Sequence, residues 1–453
     1  MRTIVLLIGA ASLAACSMDP PLPQTPLPVP ASWPARDPYL LQSEAALPEL
    51  AYQEVFRDPR LLQLVDQALA NNRDLAIAAA NIAAARAQAG ISRANRLPEV
   101  TATSGVSVRD DGDGGTRTAI DLGVSPSFEV DLFGRLASLA RADQQRLLST
   151  EAGARAVRLA LIADIARAWA TTAADGSLLA IAERTAANAE RSVELTEARL
   201  KGGIIPKTDL LQARQILETA RSDLARQRTA LAQDRNLLQL LVGAPVDETL
   251  LPASIAEIDR AFVAPPAGLD SRILLRRPDI VAAEYQLRAA NAEIGAARAA
   301  LFPAISLTGL LGLASDAVGG LFSGGFTWSA GADARYSIFN AGAGRARVRV
   351  TEAQRDAALA SYERAILVAF REVADALADR GTIGERLRSA EAQVAATSEA
   401  ARLVDARYRE GIDPFLATLD AQRSFYAAQR AQVLVQLAEM ANVAALYQTL
   451  GGS

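Results

Sequence analysis

The chain is written twice. Asn72-Arg73-Asp74-Leu75 opens a helical stretch ending near Leu97-Pro98, and Arg277-Pro278-Asp279-Ile280 opens another ending at Phe302-Pro303. Asp74 to Pro98 spans 24 positions, and so does Asp279 to Pro303. Leu132-Phe133-Gly134 corresponds to Ile338-Phe339-Asn340 at an offset of 206 (338 minus 132). Ala198-Arg199-Leu200-Lys201-Gly202 corresponds to Ala406-Arg407-Tyr408-Arg409-Glu410 at 208 (406 minus 198), and Pro206 to Pro414 keeps that offset. Chance likeness between Ala-rich helices would not preserve turn prolines as well, so one structural unit is used twice. The first copy is assigned to residues 56–243 and the second to 276–453. A Pro-bearing connecting segment, 244–275, joins them.

Each copy reads as helix, strand, strand, long helix, turn, helix. From Thr116 to Leu132 the even positions carry Ile120, Leu122, Val124, Phe128 and Val130, while the odd ones carry Arg117, Asp121, Ser125, Ser127 and Glu129. This period of two predicts one long strand, well beyond the usual five or six residues. Its partner runs from Val100 to Val108 across the turn 110–115. In the second copy Phe326, Trp328, Ala330, Ala332, Ala334, Tyr336 and Ile338 face one way, after a strand Pro303 to Leu313 and a Gly-rich loop, 319–325. The strands of the two copies are thus expected near 98–132 and 303–339. Soluble sandwiches also alternate, but they use many short strands. Four long strands cannot close a barrel, and an open edge is not tolerated in lipid. The strands demand an oligomer.

No proline interrupts the chain from Arg135 to Leu200, or from Gly344 to Arg409. Helices of that size are about 100 Å long, far beyond the globular norm. The hairpins containing them are placed at 135–242 and 344–450. Ala152, Ala156, Ala160, Ala163, Ala166 and Ala170 keep one face narrow for close helix approach, with charged residues between them. A soluble coiled-coil rod would explain these helices but leave the strand pairs without a role.

Arg2, an apolar run from Ile4 to Ala11 and then Leu13-Ala14-Ala15-Cys16 describe an export signal, residues 1–15. The last four of these residues resemble a bacterial lipobox, in which the cysteine becomes the first residue of the mature chain and carries lipid. By the same resemblance, Ser17 rather than Asp directs the protein to the outer membrane. An ordinary signal peptide with an incidental cysteine is the plainer alternative. The Pro-rich stretch beginning at Pro20 reads as an extended tether within 16–55.

With 453 residues, no histidine and the single Cys16, serine–histidine and cysteine–histidine catalysis, disulfides and Cys-rich metal sites are excluded. A carboxylate or lysine enzyme survives only by default, and no convergent acid–base pair is evident. Neither cofactor nor metal is called for. The net charge of -4 gives no reason to expect nucleic acid.

Phe128-Glu129-Val130-Asp131-Leu132-Phe133-Gly134-Arg135 resembles the strand-to-helix signature of TolC-type outer membrane factors. Arg276-Arg277-Pro278-Asp279-Ile280-Val281-Ala282-Ala283-Glu284, through Ile294-Gly295 to Phe302-Pro303, is similar to the hallmark of their lipoprotein branch, the NodT family. The resemblance implies a mixed α and β membrane protein. It would be a homotrimer with a 12-stranded outer-membrane β-barrel, four strands per chain, continued by a long periplasmic α-helical barrel. It implies a passive exit duct that partners a periplasmic adaptor and an inner-membrane transporter; a lipid-anchored helical scaffold without a pore is the competing reading.

The resemblance also places the functional residues. The turns after the long helices, with Gly202, Gly203 and Gly411, would form the periplasmic tip and the adaptor-docking surface. Asp413 and Asp420 occupy acidic aperture positions, and Tyr408 and Arg409 stand where relatives lock the gate between neighbouring helices. Capping of a turn before Pro414 would equally suit Asp413, ordinary packing would suit Tyr408, and the glycines fit turns that need permissive φ. Cys16 would be the lipidated residue.

Overall fold

The computed structural model describes residues 18–23, 51–110, 116–265, 271–315 and 326–452. Cys16, the export signal, most of the Pro-rich tether and the hairpin loops 111–115 and 316–325 lie outside the described residues.

Helix α1 (Pro59–Asn71) starts where Asp58 accepts a hydrogen bond from the Arg60 amide with Pro59 at its first position. Asn72 ends it and caps α2 (Arg73–Ala94), its Oδ1 accepting from the Asp74 and Leu75 amides. Strands β1 (Glu99–Asp110) and β2 (Thr116–Val130) follow, then α3 (Arg135–Lys201) and α4 (Lys207–Val242). After a segment of short 3-10 turns the order recurs: α5 (Pro278–Ala299), β3 (Ala304–Ser315), β4 (Phe326–Arg335), α6 (Ala343–Arg409) and α7 (Phe415–Thr449). Both α2 and α5 have 22 residues, both α3 and α6 have 67, and α4 and α7 have 36 and 35. The repetition read from turn prolines is a repetition of whole elements.

The offset between copies changes in one step rather than by drift. Pro98 to Pro303 is 205 (303 minus 98), whereas left-handed Gly134 and Gly342, which precede the long helices, lie 208 apart (342 minus 134). The strand registers place the extra three residues in the β3–β4 hairpin. Leu132 is therefore equivalent to Asn340 rather than to Ile338, and the expected correspondence of Phe133 with Phe339 is wrong by two positions.

The strands form one antiparallel sheet in the order β1-β2-β3-β4, with the two copies joined at β2–β3, where Val124 pairs Leu311 and Phe128 pairs Leu307. Directly opposed residues share a face. One face carries Val100, Val106, Ile120, Leu122, Val124, Phe128, Leu307, Leu311, Trp328 and Phe326, an apolar surface left largely exposed in the single chain. The other carries Thr101, Thr103, Asp121, Ser125, Ser127, Glu129, Ser306, Thr308, Ser329 and Asp333. A sheet that is apolar outside and polar inside is the pattern of a membrane barrel wall. Strand β4 stops at Arg335, short of the expected Ile338, because its only described partner, β3, begins at Ala304 opposite Arg335. Beyond that point Ile338 and Phe339 are 91% and 87% exposed.

The described chain divides into two compact units. The first contains the sheet with Ala79–Gly153, Asp279–Ala365 and residues 18–23. Within it Phe133 stacks on Phe302 at 4.6 Å, Arg135 grips Glu129 with both prongs, and Asp131 accepts from the Leu136 and Ala137 amides. The strand-to-helix signature is thus a capped junction. The second unit holds Ala154–Pro278, Ile366–Ser453 and residues 51–78. Its largely aliphatic core holds an aromatic cluster: Phe56 meets Phe262 and Tyr447 edge-on, and buried Trp169 donates to the Leu250 carbonyl at 2.9 Å. Gly243, with φ of 75°, ends α4 against Asn71, where a Cβ would overlap the Asn71 carbonyl.

Candidate functional site at the turns between the long helices

The two turns are built alike. Helix α3 ends in a Schellman motif, with Ile204 N–H donating to the Arg199 carbonyl and Gly203 N–H to Leu200. Helix α6 ends with Ile412 donating to Arg407 and Gly411 to Tyr408, the same bonds 208 residues later (411 minus 203). Gly203 and Gly411 have φ of 71° and 74°, the left-handed conformation that this motif places at the residue after the cap. Pro206 and Pro414, at φ near -74° and -73°, launch α4 and α7. Gly202 stands apart: its φ is not positive, and Glu410 occupies the equivalent place.

The side chains are where the copies diverge. Asp413 is held by Arg407, Nε to Oδ2 at 2.7 Å and a terminal nitrogen to Oδ1 at 2.9 Å, which closes the second turn on itself. The guanidinium holds the Asp413 carboxyl below the ordinary carboxylate range and raises Arg407 in return. In the first turn the corresponding pair is Arg199 and Ile205, which cannot pair, and Arg199 lies instead over the Tyr408 ring at 4.7 Å. Tyr408 is buried, packed on Phe415 at 5.3 Å in a cluster with Ala213 and Leu419. Its hydroxyl is buried with no hydrogen-bond partner among the described residues. Arg409 pairs with Asp405 on its own helix at 2.6 Å, and Asp420 stands largely exposed, 4.0 Å from Arg423.

The structure therefore brings Tyr408, Gly411 and Asp413 together through Arg407 and Arg199, with Gly202 and Gly203 at the matching turn. Arg409 and Asp420 make ion pairs along their own helices, and Cys16 lies outside the described residues. Sequence reasoning missed Arg407, Arg199 and Phe415. The available signal was the six-residue spacing from Arg407 to Asp413, which a Schellman turn folds back on itself.

Further along, Asp175 on α3 and Asp234 on α4 set two carboxyl groups close enough to influence each other's ionisation, and Asp234 Oδ2 is buried with no hydrogen-bond partner among the described residues. Burial raises both, and the Asp175 charge helps push Asp234 up to about 7.

The family described as outer membrane efflux protein matches residues 64–244 and 269–452, one segment for each copy. A probable efflux pump outer membrane protein of Pseudomonas putida, TtgC, is 40% identical over 463 residues, covering 99% of this chain and 94% of that protein. A solvent efflux pump outer membrane protein of the same species, SrpC, is 40% identical over 454 residues, covering 97% of this chain and 96% of that one. The open-state structure of the MtrE outer membrane channel of Neisseria gonorrhoeae superposes with a TM-score of 0.85 at 34% identity, over 96% of this chain and 98% of that one.

Proposed function

The chain belongs to the outer membrane efflux protein family, and from that premise we propose that it is the outer-membrane exit duct of a tripartite efflux system. It receives small molecules such as drugs or toxic compounds from a periplasmic adaptor and an inner-membrane transporter and conducts them outward. The observation that carries this reading is the four-stranded sheet with an exposed apolar face, a polar opposite face and two edge strands. Three copies supply twelve strands, enough to close a barrel in which every edge is paired. The long helices α3 and α6 continue each half of that wall into the periplasm as a helical barrel.

No reaction is assigned to the duct: it conducts passively, and the inner-membrane transporter does the work. Its periplasmic end closes at the two Schellman turns, which also form the adaptor-docking surface. Asp413 and Asp420 become three carboxylates each in the trimer, rings that favour cations and shape the aperture. Tyr408 and Arg409 lock neighbouring helices, and the unpartnered Tyr408 hydroxyl supports that role. The mature chain begins at Cys16, whose acyl chains add to membrane anchorage at about 0.8 kcal/mol per buried methylene.

Conductance of the purified full-length trimer in planar bilayers tests the proposal. Ion-conducting steps that enlarge when the tip charges are neutralised are expected. A trimer that never conducts, even with those charges removed, would return the chain to the role of a helical scaffold.

A further inference from the structure

Within the first unit, residues 18–23 lie against α3 and α5 through a set of contacts that the duct does not need. The Asp19 carboxylate accepts from the Ser138 hydroxyl at 3.0 Å and from Arg141 Nε at 2.9 Å. Arg141 also donates to the Ser138 oxygen at 2.8 Å, so the two recipients are braced against each other. The Pro20 carbonyl accepts from Asn291 Nδ2 at 2.7 Å. Asp19 rests directly on Gly295, where a Cβ would overlap its carboxylate. Ser138 and Arg141 belong to one face of α3, and Asn291 and Gly295 to one face of α5.

The repeat supplies an internal control. The offsets map Ser138 to Ala346, Asn291 to Arg86, Arg141 to Arg349 and Gly295 to Gly90. The equivalent positions thus lack the hydroxyl and the amide, and a Cβ at Gly90 would meet nothing within 4 Å. Two quasi-equivalent surfaces exist in the chain, and only one carries the groups that hold an Asp-Pro segment.

We propose that this groove between α3 and α5 is a receptor for the chain's own amino-terminal segment, recognising Asp19 and Pro20 so as to fix residue 16 beside the barrel rim. Asp19 lies three positions after Cys16, a reach of about 10 Å at most. Ser138 lies in the first turn of α3, its amide bonded to Gly134 just after β2 ends. The groove therefore sets the depth at which the chain's amino end meets the membrane boundary. Because its walls come from both copies, it also ties them together at that level. The docking stands on the contacts alone; its consequence for an anchor rests on the lipidated reading of Cys16.

Endoproteinase Asp-N, which cuts before aspartate, reads the docking at the Met18–Asp19 bond of the purified full-length trimer in detergent micelles, where the periplasmic surface is open to added enzyme. Arg141→Ala and Gly295→Ala are expected to speed that cut at least tenfold while trimer content stays unchanged. Arg141 is a partly exposed side chain whose loss leaves the fold intact, so it decides the matter if Gly295→Ala misfolds. Equal cleavage in wild type and in the trimeric variants overturns the groove as a receptor. Mass analysis of the released amino-terminal fragment reports separately on lipid: an unmodified residue 16 on a protected segment removes the anchor and leaves the receptor standing.

Discussion

Arg407 closes on Asp413 as a two-pronged ion pair across the turn that joins α6 to α7, at 2.7 and 2.9 Å. Its counterpart Arg199 has Ile205 at the position matching Asp413 and lies over the Tyr408 ring instead, so two turns of one backbone design carry different side-chain chemistry. The clasp fixes the position of the carboxylate assigned to the aperture ring.

Neutralising either partner should loosen the tip. Asp413→Ala or Arg407→Ala is expected to raise single-channel conductance several-fold and to increase leakage of large antibiotics in cells, with Asp420→Ala adding to the effect. The Asp413 carboxyl is depressed in the folded chain, so its contribution is complete above the unfolded value of 3.8 and is lost only as pH falls through the lower folded value. Tip conductance should therefore be insensitive to this pair between pH 5 and 8. A large Asp413-dependent change in that window would count against the clasp.

The glycines separate by backbone geometry. Ala at Gly203 or Gly411 must adopt a left-handed φ, at a cost of about 1 kcal/mol or more for each substitution. Gly202→Ala should be neutral, since Glu410 already fills the matching place. Thermal unfolding of the purified trimer is expected to show a lowered midpoint for the first two and none for the third.

Asp175 and Asp234 predict a pH dependence of the opposite sign. Burial and mutual repulsion raise the Asp234 carboxyl to about 7, so the folded chain binds more protons than the unfolded chain between about pH 4 and 7. The pair's contribution should be full below the unfolded value and fall as pH rises through 7. Asp234→Asn removes the forced ionisation and should flatten the decline between pH 5 and 8 in denaturation series.

Much of this architecture was legible because it rests on periodicity and punctuation. Alternation between Thr116 and Leu132 marks a strand exposed to two environments, and absent prolines from Arg135 to Leu200 permit one helix. What escaped depended on meetings between distant or folded-back residues. The Arg407 clasp needs the turn geometry, and Asp19 on Gly295 needs two helices brought together. The two-position error at Phe339 arose because aromatic likeness near the junction outweighed the register of the hairpin, which only paired strands reveal. The early end of β4 is different: the alternation through Ile338 is real, but a strand needs a partner.

That partner is expected to be β1 of a second copy, in a register that the chain already spells out. Within one chain β2 of the first copy pairs β3 of the second, with Val124 opposite Leu311 and Val130 opposite Ile305. Shifting β2 positions by 208 and β3 positions by 205 gives the next junction around the barrel. Ala332 then faces Val106 of the neighbouring chain, Tyr336 faces Ala102 and Ile338 faces Val100. Each pair joins residues of the same apolar face, and the last two extend β4 over the exposed stretch beyond Arg335. Cys16 is the only native cysteine, and acylation would block its thiol, so introduced cysteines report cleanly. Ala332→Cys combined with Val106→Cys should form disulfide-linked trimers on mild oxidation, because opposed Cβ atoms lie within about 5.5 Å. Ala332→Cys with Ser104→Cys or Val108→Cys, two residues out of register, should link poorly. Equal linking by all three, or preference for a shifted pair, would show that the junction between copies does not repeat the junction between halves.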